Sequence, residues 1–245
     1  YSATHPPLYV WLTALAYKIF GINEFSARFI AALSGVGVTM FTYMTGKELY
    51  NIKVGFLSAL LLTLNPFFDF WSMQGQFDMT LAFFFSISFY YYIKSLEQNS
   101  VRYNVIVGIL TGLALLTKLF IALLIPFIIF VYEWLNPENR NYKRLLIIIM
   151  VSFILAFPWH LLMIITHSDF DIFFFFKQSQ LFERAFLGIE NNSKELGSLF
   201  FLNQLFVHLP FFTVCMVFGI ISSAKTLRKD ILFFWFIIYL IIVSL

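Results

Sequence analysis

Between two runs too apolar for a soluble surface lies Asn65–Thr80, N-P-F-F-D-F-W-S-M-Q-G-Q-F-D-M-T, with two carboxylates, two glutamines and no Lys or Arg. Asp78 leads directly into an aromatic, apolar run, so it stands at the lip of a membrane-spanning segment. A carboxylate placed there is costly to desolvate and faces a polar cavity in preference to lipid. Two uses fit such a group: chemistry in that cavity, or capping the helix that starts there. A second candidate is Lys118, which closes the apolar run G-L-A-L-L-T-K. Its amine either binds an anion or snorkels from a helix end to water. His160, His167 and Asp171 fit no common metal-ligand spacing, so they read as a solvated helix end and no metal site is expected.

The elements that must position these groups are apolar helices. Thr4–Phe20 predicts a short helix with Pro7 in its first turn and Gly21 as its C-terminal cap. It is too short to cross a hydrocarbon core of about 30 Å and reads as lying along the membrane surface. Asn23 caps the next helix, on which Glu24 and Arg28 are spaced to pair. Spans are then expected over Phe25–Tyr43, with Ser34, Gly35 and Gly37 allowing close packing, and over Val54–Phe68. After a loop from Asp69 to Asp78, further spans run to Lys94, from Tyr103 to Lys118, from Leu119 to Trp134 and from Leu145 to Ile165. Gly108 and Gly112 read as a packing seam. A long hydrophilic segment follows, Thr166–Gly197, then spans over Ser198–Ile221 and from Ile231. The fold class expected is therefore all-α, a polytopic membrane helix bundle. Residues 1–245 form a single transmembrane domain, with an interfacial helix in 1–24 and a long outer loop in 166–197.

Composition agrees. Only 12% of residues are charged against 60% hydrophobic, whereas soluble domains carry about a quarter charged residues. The solvent for most of the surface is lipid. A formal charge of +3 is too small to argue for nucleic acid. With one cysteine, Cys215, there is no disulfide framework. Ten of the sixteen Lys and Arg fall in the links around Lys47–Lys53, Lys94–Arg102, Arg140–Arg144 and Lys225–Lys229. The positive-inside rule makes that side cytoplasmic and gathers Asp78, Lys118 and the 166–197 loop on the outer face. A start at Tyr1 and an end inside an apolar run read as a piece of a longer membrane protein.

H-P-P-L-Y-V-W-L, F-G-I-N-E-F-S-A-R-F-I-A-A-L, the Asp78 loop and G-L-A-L-L-T-K occur here in that order. The ordered set resembles the dolichyl-phosphate-mannose–protein mannosyltransferase-like integral membrane glycosyltransferases of GT-C fold, which include the bacterial aminoarabinose–lipid A transferases. The resemblance covers His5–Pro126 well and Pro158–Pro210 less closely. It implies sugar transfer from a polyprenyl-phosphate donor to a lipid, glycan or protein acceptor, at the outer face of a bacterial cytoplasmic membrane. It also implies that the main catalytic acid lies in a loop upstream of Tyr1.

On the residues present, the resemblance makes Asp78 the matching carboxylate and leaves Asp69 without a match. Lys118 matches the family's L-T-K and would bind the phosphate. His5 stands where relatives carry a basic residue near the phosphate, and its charge depends on pH. Arg184, on the long loop, would grip phosphate oxygens through its planar fork, with Glu183 beside it as a possible surface partner. Gln74 and Gln76 either contact sugar hydroxyls or solvate the loop. The resemblance identifies no cofactor. The alternatives are a transporter or lipid flippase, or an inactive relative.

Overall fold

The computed structural model describes residues 6–166 together with positions 211, 213, 214, 217 and 231. Every regular element among them is helical: α1 Leu8–Phe20, α2 Glu24–Leu49, α3 Ile52–Thr63, α4 Pro66–Met73, α5 Phe77–Gln98, α6 Val101–Leu115, α7 Leu119–Ala122, α8 Leu124–Leu135, a 3-10 turn Pro137–Asn139, and α9 Tyr142–Thr166. The spans expected beyond Thr166 lie outside the described residues, as does the 166–197 loop. The chain groups into two compact units. One comprises 5–127 and 141–159; the other comprises 1–4, 128–140 and 160–245.

Local chemistry sets the helix ends. Asn23 accepts from the Ser26 amide at 2.9 Å while the Ser26 hydroxyl accepts from the Asn23 amide at 3.2 Å, a reciprocal cap of two otherwise orphaned donors. Asn51 and Asn65 cap α3 and α4 in the same manner, each carboxamide accepting from two backbone N–H groups. Gly21 terminates α1 at φ 79°. Pro7 stands at the N-cap of α1, one step earlier than the expected first-turn position, because the helix begins at Leu8.

Among the described residues, two helices are long and apolar enough to cross a membrane, α2 and α9, and α3 with α4 makes a third if the bent pair counts as one span. This is fewer than the sequence pattern suggested over the same stretch. The expected Val54–Phe68 span is broken by Asn65-Pro66, and its two halves meet at 65°. α5 is long enough, but its serines and tyrosines lower its hydropathy, and it is the most enclosed helix, with Phe89 and Tyr92 almost fully buried. The expected 119–134 span divides into α7 and α8.

Close packing rests on small residues. A β-carbon on Gly55 would lie 2.5 Å from the Tyr43 carbonyl, and one on Gly46 would lie 2.8 Å from the Gly55 α-carbon, so α2 and α3 touch backbone to backbone. Gly108 and Gly112 form the expected seam: β-carbons there would meet Val151 at 2.7 Å and Leu155 at 2.8 Å on α9. Ala31, Val38 and Met79 make a core patch between α2 and α5, covered by Leu62, Phe68, Ala82 and Phe83. Across it the buried hydroxyls of Ser34 and Thr80 share a hydrogen bond of 3.0 Å. At the far end of α5, Lys94 pairs with Glu48 of α2, and Ser95 donates to the buried Asn104 of α6.

One basic residue departs from expectation. Arg144 was expected in a solvated cytoplasmic link. Instead it lies in the first turn of α9, 4% exposed, with its guanidinium 5.9 Å from the ring centre of Tyr92. The aliphatic stem and a π face let α9 bury that cation against α5.

Candidate active site

The turn between α4 and α5 determines where Asp78 stands. It is only Gln74–Gln76, much shorter than the expected 69–78 loop, because Asp69 belongs to the first turn of α4. Gly75, at φ 63°, takes a left-handed conformation that side-chain-bearing residues adopt with difficulty, and a β-carbon there would sit 3.0 Å from the Ala27 carbonyl. The turn thus rests directly on α2. Gln76 occupies the N-cap position of α5 without a side-chain cap, and Asp78 lies inside the first turn, so Asp78 does not take the capping role considered for it. Two residues into a helix, a carboxylate is still favoured by the positive end of the macrodipole.

Lys118 arrives from the opposite direction. α6 ends at Leu115, and the chain turns through Leu116 and Thr117 to Lys118, the N-cap of α7. The amide of Leu8, first residue of α1, donates to the Leu116 carbonyl at 3.0 Å, fastening α1 to this turn. The ammonium of Lys118 donates to Asp78 Oδ1 at 3.1 Å and stands 4.9 Å from the ring centre of Phe77. Their side chains are 29% and 43% exposed, so the pair is neither dry nor free in water. The Phe77 ring in turn meets the edge of Tyr9 at 6.4 Å between centroids. Three distant segments, α1, the start of α5 and the α6–α7 turn, thereby converge on one spot.

Tyr9 and Phe77 were not singled out from the sequence as site residues. Both look like interfacial aromatics there, and nothing in their spacing says that one would underlie the lysine. The Tyr9 hydroxyl is buried, and burial raises its pKa above the usual phenol value. The Thr13 hydroxyl draws back part of that rise, and the nearby Tyr17 adds to it. Thr13 gives its own proton to the Tyr9 carbonyl at 2.9 Å, so among the described residues no well-aligned hydrogen bond reaches the phenol.

Of the four residues expected at the site, the structure brings Asp78 and Lys118 together. His5 and Arg184 lie outside the described residues, as do Glu183, His167 and Asp171. Gln74 and Gln76 occupy the turn, at a helix C-cap and N-cap. Glu24 and Arg28 form the expected pair at 2.5 Å, exposed, on α2. Among the described residues, no group of three or more His, Cys, Asp or Glu side chains gathers in a way that could hold a metal. Chemically, a half-exposed carboxylate touching an ammonium can orient a hydroxyl or take its proton, while the ammonium can neutralise an oxyanion.

Comparison with known proteins gives these groups a context. A protein of Aquifex aeolicus is 31% identical over 179 residues, covering 72% of this chain and 39% of its own length. An undecaprenyl phosphate-alpha-4-amino-4-deoxy-L-arabinose arabinosyl transferase of Pseudomonas savastanoi is 26% identical over 191 residues, covering 71% of this chain and 34% of its own. The chain thus spans well under half the length of the curated relatives it matches. Crystal structures of ArnT from Cupriavidus metallidurans share the fold. The form bound to undecaprenyl phosphate superposes with a TM-score of 0.80 at 22% identity, over 98% of this chain and 45% of that one. The apo form gives 0.79 at 21% identity. The all-α membrane architecture is therefore that of the GT-C glycosyltransferases. The profile of the dolichyl-phosphate-mannose-protein mannosyltransferase family matches residues 4–163, a stretch that holds both Asp78 and Lys118. With about two thirds of its length inside that match, this integral membrane chain belongs to the dolichyl-phosphate-mannose-protein mannosyltransferase family.

Proposed function

We propose that the full-length protein transfers a sugar from a polyprenyl-phosphate-linked donor to a lipid, glycan or protein acceptor. The site faces outward from a multi-pass protein of a bacterial cytoplasmic membrane. The observation that carries this reading is the Asp78–Lys118 contact on the Phe77 ring, inside the region matched to the family. Transfer breaks the bond between the anomeric carbon and a phosphate oxygen and forms one to an acceptor oxygen. Negative charge grows on the departing phosphate, and the acceptor loses a proton. Lys118 supplies the first need by neutralising that charge. Asp78 serves the second by orienting the acceptor and supporting the main acid–base group, which the resemblance places upstream of Tyr1. His5 and Arg184 would add phosphate contacts.

Membrane geometry supports the outward orientation. The basic link that begins at Lys94 lies at the end of α5 remote from Asp78, where Lys94 meets Glu48 next to Lys47. The donor sugar is a pentose or a hexose. The arabinosyl transferases named above suggest a 4-amino-4-deoxy pentose on undecaprenyl phosphate as the first donor to try. The decisive measurement is sugar transfer by the full-length protein in membranes, wild type against Asp78→Asn. A fall of about a hundredfold is expected, at the low end of what proton-handling groups contribute. Unchanged transfer removes Asp78 from the site. One observation favours a lipid carrier instead, the 65° break between α3 and α4. Lipid translocation without sugar transfer in the same membranes would establish that reading.

A further inference from the structure

The start of α2 carries an arrangement that the Asp78 site does not use. Glu24 and Arg28 pair one turn apart at 2.5 Å, with side chains 77% and 50% exposed. Beside them is an open hollow of about 260 Å³ lined by Glu24, Phe25, Arg28, Phe29 and Ala32. Phe20, at the end of α1, closes on Phe25 and Phe29 with ring centroids 5.4 and 4.9 Å away. Phe25 and Ile22 are themselves widely exposed. α2 is long and apolar enough to cross a membrane and begins at Glu24, so this hollow opens where the helix passes from headgroups into acyl chains.

Read down the helix axis, the lining changes in a fixed order. Glu24 comes first, then Arg28, rooted one turn deeper with its guanidinium reaching back to the carboxylate, then an aromatic and small-residue surface. Ala32 lies about 12 Å below Glu24 at the helical rise. A phospholipid with an amine headgroup presents the complementary series from water inward: ammonium, phosphate, glycerol, acyl chain. We propose that the α2 hollow binds a primary-amine phospholipid of the ethanolamine type, with its ammonium on Glu24, its phosphate on Arg28 and one chain along Phe29 and Ala32. Opening the ion pair to admit the headgroup costs little, because exposed pairs of this kind contribute little to stability. Each partner then exchanges one counter-ion for another. The primary amine matters because it can donate hydrogen bonds to a carboxylate, which a choline headgroup cannot do. A phosphatidylglycerol phosphate would satisfy Arg28, but its neutral glycerol would bring no cation to Glu24.

The test uses the full-length protein in nanodiscs containing equal parts of phosphatidylethanolamine, phosphatidylglycerol and phosphatidylcholine. Retained lipids are weighed by native mass spectrometry after bulk lipid is stripped. Wild type is expected to retain the ethanolamine lipid over each of the others by about fivefold, the upper range for an exposed charge contact. Glu24→Gln should shift retention toward phosphatidylglycerol, since Arg28 then stands as an uncompensated cation. Arg28→Gln should remove the preference altogether. Ala32→Trp fills the hollow without touching either charge and should lower retention of the ethanolamine lipid. All three positions are exposed, so an unchanged unfolding temperature serves as the folding control. Equal retention of the three lipids by wild type, a wild-type preference for phosphatidylglycerol, or a preference that survives both charge substitutions would overturn the proposal. Because the readout is lipid retention, it is independent of whether the protein transfers sugar.

Discussion

At the scale of single residues, Asp78 and Lys118 are each other's counter-ion. With both side chains partly in water, their contact contributes only about 0–1 kcal/mol to folding. Losing it should therefore show in ligand handling and scarcely in stability. Lys118→Met is expected to leave the unfolding temperature within a few degrees while weakening binding of the proposed polyprenyl-phosphate donor about tenfold or more, as loss of a charge-assisted contact would. Lys118→Arg should recover most of that loss. Tyr9 behaves in the opposite way, since its phenol matters to folding. Its pKa is raised in the folded state, so its contribution is fully present below about pH 10 and is lost as pH climbs through the higher folded value. Thermal unfolding of Tyr9→Phe between pH 9 and 12 should lose less stability with rising pH than wild type. At neutral pH the variant should be at least as stable, because a buried donor with no partner among the described residues is gone.

At the scale of elements, what was legible followed from local rules. The caps at Asn23 and Gly21, the Glu24–Arg28 pair and the Gly108–Gly112 seam depend on residues a turn apart, and the sequence carries such spacings openly. The failures share a physical cause. Hydropathy sees Val54–Phe68 as one run because Asn65 and Pro66 are only two residues in an apolar stretch, yet Asn65 caps and Pro66 opens a new helix, α4, bent by 65° from α3. Likewise Arg144 reads as loop charge because its partner ring, Tyr92, is far away in sequence. The Asp78–Lys118 contact was half legible: topology put both at one face, and only the fold could show that they touch. Backbone contact between α2 and α3 makes a firm prediction. Gly55→Val should lower stability by about 1–3 kcal/mol through overpacking against the Tyr43 carbonyl, measured by denaturant or thermal unfolding of the full-length protein.

At the scale of the whole molecule, α5 is the shared axis of the first unit, with the candidate site at its start and a charge cluster at its end. Asp78 and Lys94 are sixteen residues apart, or about 24 Å along a helix. Lys94 joins Glu48 and Glu97, binding α5 to α2. Lys94→Met should therefore lower the unfolding temperature by leaving Glu48 without its cation, yet leave affinity for the proposed polyprenyl-phosphate donor unchanged. A loss of affinity in that variant would show that the two ends communicate.

The Gly75 turn has a mechanical meaning at this scale. A β-carbon placed on Gly75 would come within 3.0 Å of the Ala27 oxygen and 3.6 Å of the Arg28 α-carbon. The Asp78 carboxylate is thus propped, through Gly75 three residues before it, by the first turns of α2. When membrane thickness or lipid occupancy tilts the head of α2, the bearing surface under Gly75 tilts with it, and the aim of Asp78 follows.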